Sequence, residues 1–166
     1  MAAGDARPNA DEPRWLTPQE REAWLATAAL IVKLPGALDA QLQADAGLSF
    51  FDYMVMAALS ERDDRTMQMS DIARFASASL SRLSHTAKRL EQQGYLVRTQ
   101  VPGPGRRTNA TLTDAGFAKV VATAPGHVEN VRRLLIDAIS PTQLLALGQV
   151  GRQVLEQIEG DGAWPR

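Results

Sequence analysis

The chain is 166 residues long, 45% hydrophobic and 22% charged, with 18 basic against 19 acidic side chains and a formal net charge of -1. That suits one ordered globular domain with a real core rather than two independent ones. Zero cysteines exclude disulfides, thiolate nucleophiles, Cys-ligated zinc and iron-sulfur clusters, and with only two histidines no metal site or cofactor is expected.

Residues 1–14 are expected to form a disordered tail. Asp5, Arg7, Asp11 and Glu12 lie there among Ala, Gly and Pro, with neither the basic start nor the apolar middle of a signal peptide, so the expected location is the cytoplasm. Thr17-Pro18-Gln19-Glu20 supplies an N-cap, a proline at the first helical position and a carboxylate three residues after the cap. Trp24, Leu25, Ala28, Ile31 and Val32 follow at helical spacing, and Pro35 is expected to kink or break the helix before a second segment continues to about Ala46. The longest apolar stretch, Ala26 to Val32, ends at Lys33, far short of the roughly 20 apolar residues that span a bilayer, so no transmembrane segment is expected. Ser49 caps a helix from Phe50 to Arg62, and the run Glu61-Arg62-Asp63-Asp64-Arg65 reads as a solvated loop.

Ser70 is expected to cap a short helix over Asp71 to Ala76, with Ile72, Phe75 and Ala76 facing inward. Ser77-Ala78-Ser79 makes a tight polar connection to a helix over Leu80 to Gln93, which is the order of parts in a helix-turn-helix. In that second helix Leu80, Leu83, Ala87 and Leu90 share one stripe and leave Ser81, Arg82, Ser84, His85, Lys88 and Arg89 on other faces, with Gly94 as the stop. Tyr95 to Val101 and Thr108 to Thr113 alternate and are rich in Val, Thr and Leu, so they read as two antiparallel strands around a Pro/Gly/Arg loop, a wing. From Thr113 a helical pattern returns through Phe117, Val120, Val121, Ala124, Val128, Val131, Leu135 and Ile139: one long helix, bent at Pro125-Gly126, with His127 as a surface or helix-start residue. Ser140-Pro141-Thr142-Gln143 repeats the cap pattern of Thr17 and opens a last apolar helix to about Glu159.

The expected fold is therefore mainly α with a small antiparallel β-hairpin: a 47–113 winged helix-turn-helix flanked by an N-terminal helix (15–46) and C-terminal helices (114–166). The flanking helices are too apolar to stand alone. The simplest partner for them is the same helices of a second copy, so a homodimer is expected.

Residues 77–112 hold Arg82, Lys88, Arg89, Arg98, Arg106 and Arg107 against a single acid, Glu91. Local basicity in a chain of near-zero net charge is what a double-stranded DNA partner requires. A recognition helix inserts its N-terminal half into the major groove, which suits Ser81, Arg82 and His85 to base reading, with Ser84 on the same helix; Lys88 and Arg89 suit phosphate clamping, as do Ser77 and Ser79 near the helix start. Alternatively Ser77 or Ser79 is only an N-cap and the cations are a solvated face. Arg106 and Arg107 suit insertion into a narrow minor groove, the alternative being an ordinary polar hairpin tip. No nucleophile with a paired base, no phosphate-binding glycine loop and no cluster of metal ligands is present, so an enzyme is not expected. A winged-helix module that binds ligand or protein without reading DNA is the remaining alternative.

Over about residues 17 to 159 the sequence resembles the MarR family of bacterial transcriptional regulators. The resemblance is carried by Leu48-Ser49-Phe50-Phe51-Asp52-Tyr53, by Ser79 to Gly94 and by Leu112-Thr113-Asp114-Ala115-Gly116. It implies a dimer of winged helices with interleaved terminal helices that represses transcription from pseudo-palindromic operators and releases DNA on binding a small aromatic or phenolic effector. Trp15, Trp24, Phe51 and Tyr53 are the effector candidates by position, together with His85, the alternative being that Trp24, Phe51 and Tyr53 are core. Counting back from Leu112, the family's wing arginine falls on Arg106 and its orienting aspartate on Pro104, which leaves open whether Arg106 or Arg107 enters the minor groove.

Overall fold

The computed structural model describes residues 13–103, 105 and 107–159. The expected N-terminal tail up to residue 12, Pro104 and Arg106 lie outside these. The chain divides into two units, one ending at Leu34 and one starting at Pro35. Helix α1 (Pro18–Ala46) begins in the first and ends in the second; Thr17 and Glu20 form the reciprocal cap that its sequence announces, and this lowers the Glu20 pKa through the bond from the Thr17 amide. The helix runs through Pro35, so of the kink or break expected there the break does not occur. Proline removes only the bond to the Ile31 carbonyl, and the helical residues on both sides carry the backbone past it.

In the second unit, α2 (Phe50–Ser60) starts at a complete capping box: the Asp52 amide donates to the Ser49 hydroxyl at 3.0 Å and the Ser49 amide to the Asp52 carboxylate at 3.0 Å. A three-residue strand, β1 (Thr66–Gln68), follows and was not legible in the sequence, being too short to show alternation and abutting a charged run. Helix α3 (Met69–Phe75) begins two residues earlier than expected. Its cap position is Gln68, not Ser70, whose hydroxyl instead meets the Gln68 side chain. Ser77, at φ 45°, turns the chain into α4 (Leu80–Gln92), and Gly94, at φ 76°, ends it. Strands β2 (Leu96–Val101) and β3 (Arg107–Leu112) form the hairpin, with β1 on the far side of β3, so the wing is a three-stranded antiparallel sheet in the order β1-β3-β2.

Thr113 then does three things at one corner. Its hydroxyl accepts the Gly116 amide at 3.0 Å, capping α5 (Asp114–Val131), and donates to the Gly94 carbonyl at 2.7 Å, while its amide donates to the Tyr95 carbonyl. Gly116 sits so close that a Cβ there would lie 2.2 Å from the Tyr95 carbonyl oxygen. This explains the Leu112 to Gly116 motif: it clamps the start of α5 to the end of α4. Helix α5 continues through Pro125 as expected, gives way to a π-turn (Arg132–Ile136) that the sequence does not announce, and is followed by α6 (Pro141–Glu159).

The core of this unit is formed by side chains of α1, α2, α3, α4, α5 and the sheet. Leu42, Val55, Met56, Leu59, Ile72, Leu83, Leu90 and Ala110 are fully buried; each large one contributes roughly 1.5–3 kcal/mol by leaving water. Two expectations fail here. Leu80 does not join the buried stripe of α4 but stays 58% exposed, because it lies in the first turn, beyond the edge of the core, and Thr86 takes the fourth inner place. His127 is not a surface residue: it lies within α5, half-buried, with its ring 4.6 Å from that of Tyr53 and 6.2 Å from that of Phe50.

Candidate nucleic-acid interface

Helix α4 is fixed on its inner side by Leu83, Thr86, Ala87 and Leu90. At about 100° per residue the opposite side carries Ser81, His85 and Lys88, all exposed. Neither His85 nor Lys88 has an ion-pair partner among the described residues. Arg82 and Arg89 fall along one flank of this strip, and Leu80, Ser84 and Glu91 along the other. The two flanks are engaged by different parts of the fold.

On the α2 flank, the Arg82 guanidinium lies 4.4 Å from the centre of the Phe51 ring, a cation–π contact. Arg89 pairs with the Asp52 carboxylate, which is buried and also caps α2. On the wing flank, Arg98 of β2 grips Glu91 with Nε at 2.9 Å and Nη2 at 2.7 Å from Oε2, while its amide donates to Oε1 at 2.8 Å; Nη1 reaches the Ser84 hydroxyl at 3.3 Å. These bonds hold the Glu91 carboxyl below its usual pKa, the Arg98 side chain first among the causes. Arg98, counted from sequence as part of the cationic footprint, is therefore a tie between the wing and the recognition helix.

The residues singled out from sequence, Arg106 excepted, have definite places. Ser79 is the N-cap of α4, its hydroxyl accepting the Arg82 amide at 3.2 Å, and Ser77 is exposed in the turn. Ser81, Arg82, Ser84, His85, Lys88 and Arg89 are all exposed on α4, and Arg107 is exposed at the start of β3. Arg106 lies outside the described residues. Asp52, Glu91 and Phe51 were not recognised as partners of these cations. The signals were present: Ser49 and Asp52 at capping-box spacing, and Glu91 as the lone acid in a basic stretch.

A cavity of about 550 Å³ opens beside the Arg82 flank, walled by Phe50, Phe51, Met54 and Phe75, with Asp39 and Arg82 as its charged groups. Of the five effector candidates only Phe51 lines it; His85 is on the exposed strip of α4. Tyr53 is buried in the core against His127, where desolvation raises its phenol pKa, and Trp15 and Trp24 are 83% and 55% exposed in the unit that ends at Leu34.

A helix-turn-helix whose second helix presents a polar and cationic strip beside a basic three-stranded wing defines a winged-helix DNA-binding protein. The MarR family profile matches residues 46–107. Sco3205 of Streptomyces coelicolor, a MarR family transcriptional regulator crystallised with DNA, is 38% identical, with a TM-score of 0.85 over 94% of this chain and 99% of that one. AbsC, a MarR family regulator of the same organism, is 34% identical, with a TM-score of 0.82 over 90% of this chain and 100% of its own. The HTH-type transcriptional regulator PecS of Dickeya dadantii (strain 3937) is 35% identical over 89 residues, so the chain spans about half of PecS, 54%. The chain belongs to the MarR family and is a DNA-binding transcriptional regulator.

Proposed function

We propose that this protein is a cytoplasmic homodimeric repressor, without catalytic activity, that occupies a pseudo-palindromic operator and is released from it by a small aromatic or phenolic effector. The observation that carries the reading is the exposed Ser81, His85 and Lys88 strip of α4, opposite a buried inner face, together with Arg107 exposed at the loop end of the wing. In this reading Ser81, Arg82 and His85 meet base edges, with Ser84 beside them. Lys88 and Arg107 meet backbone or minor groove, and the Ser77 turn lies against phosphate.

Arg82 has two neighbours in this scheme. Docked on Phe51 it walls the cavity, and from the same position its long side chain reaches the rim of the recognition strip. An effector with an aromatic ring and an acidic oxygen fits walls of Phe50, Phe51 and Phe75 with one guanidinium among them. Its anion then holds Arg82 away from DNA, which couples effector binding to release.

The test is fluorescence anisotropy with the protein's own upstream DNA against a scrambled duplex at two salt concentrations. Arg82→Ala is expected to cost about 1–3 kcal/mol on the cognate duplex alone, and Lys88→Ala to weaken both duplexes alike while lowering the salt slope by about one. Equal affinity of the native protein for cognate and scrambled DNA would favour a ligand-binding or protein-interaction module instead.

A further inference from the structure

We infer that Leu80 is a specificity-determining residue that reads the C5-methyl of thymine in the major groove. This rests on the reading of α4 as the recognition helix. Leu80 is the first residue of α4 and 58% exposed, whereas Leu83, Ala87 and Leu90 of the same helix are fully buried. It shares a recess beside the wing with Gln68, Ser70, Ser84, Arg98 and Arg107 and with one other apolar side chain, the buried Met69. Ser84 lies one turn further along the same flank, and Ser81 begins the groove-facing strip beside it.

Although Met69 lines the same recess, Leu80 keeps 58% of its surface exposed. Arg107, which has no ion-pair partner among the described residues, gives the recess a positive charge, and the only apolar group that a DNA major groove displays is the thymine methyl. The N-terminal end of a recognition helix is the part that enters deepest. Leu80 therefore meets the groove at the point where a methyl can be buried, and its partner is a thymine on the wing side of each half-site.

The experiment begins with a duplex selected by the full-length protein from a random-sequence pool, then resynthesised with each thymine replaced singly by uracil, which removes only the methyl. One thymine per half-site is expected to lose about fourfold in affinity on replacement, the worth of one buried methyl. Leu80→Ala is expected to bind the parent duplex about as weakly as the native protein binds the uracil duplex, and to be indifferent to the replacement. Leu80→Met, which keeps an apolar reach, is expected to retain the discrimination. Uracil replacements that leave the native protein unaffected at every position would overturn the inference, as would equal losses in the native protein and Leu80→Ala. Failure to select any sequence would instead overturn the operator-binding reading, and this inference with it.

Discussion

Arg89 shows how a side chain with the right charge and position acquires a different task from its fold. Its guanidinium is half-exposed, but its partner is the buried Asp52 carboxylate, whose other oxygen caps α2. Removing a cation from a buried carboxylate costs more than removing a solvated one, because the remaining charge has lost its compensation. Arg89→Ala is therefore expected to lower unfolding stability by about 2 kcal/mol, less than a fully buried pair would lose because Arg89 itself reaches water. Lys88→Ala, one position away, should stay within about 0.5 kcal/mol of the native protein. Urea unfolding of the two variants separates the roles. A fall no larger for Arg89→Ala than for Lys88→Ala would return Arg89 to the phosphate clamp that its sequence position suggests.

The contact of α2 with α5 includes His127, whose ring packs on Tyr53 and Phe50, with Nδ1 buried and without a hydrogen-bond partner among the described residues. Burial lowers its pKa below the ordinary 6.5. The neutral form is thus favoured in the folded state, so the unfolded chain takes up a proton first as pH falls through about 6.5, and stability drops until the folded pKa is passed. Between about pH 7.5 and 5.5 the urea midpoint is expected to fall, by less than about 1 kcal/mol for a half-buried ring, and His127→Phe should remove that part of the fall. An unchanged pH profile in His127→Phe would show that the loss lies elsewhere. The helix starts at Thr17, Ser49 and Ser140, the strip on α4, the stop at Gly94 and the two long strands were legible from local chemistry, since caps and hydrophobic periods act over three or four residues. The elements that were missed depend on distant partners. β1 exists because β3 offers it a ladder, α1 continues past Pro35 against its local rule, and Arg89, 37 residues from Asp52, is claimed by a carboxylate that no local pattern connects to it.

Helix α1 has length and apolar content enough to cross a bilayer by those measures alone, although Lys33 places a charge in its middle. Its first half exposes Trp24, Leu25, Ile31 and Val32, and α6 exposes Leu145, Val150, Val154 and Ile158. Glu20, Arg21, Glu22 and Lys33 punctuate the first of these helices and Arg152 and Glu156 the second, which suits a protein interface with a polar rim better than lipid. In the proposed homodimer a second copy of the chain would supply matching faces, and a two-fold axis would carry two recognition strips to two half-sites. Sedimentation at micromolar concentration should therefore give twice the chain's 18.0 kDa. Changing Val154 and Ile158 together to Glu places two charges per chain in the proposed interface and should yield monomers. A monomer grips one half-site, so the slope of log affinity against log salt is expected to fall to about half that of the native protein, because counterion release counts phosphates contacted. The decisive failure would be a native chain that sediments as a monomer yet binds its duplex with the full slope, since each subunit would then make every contact by itself.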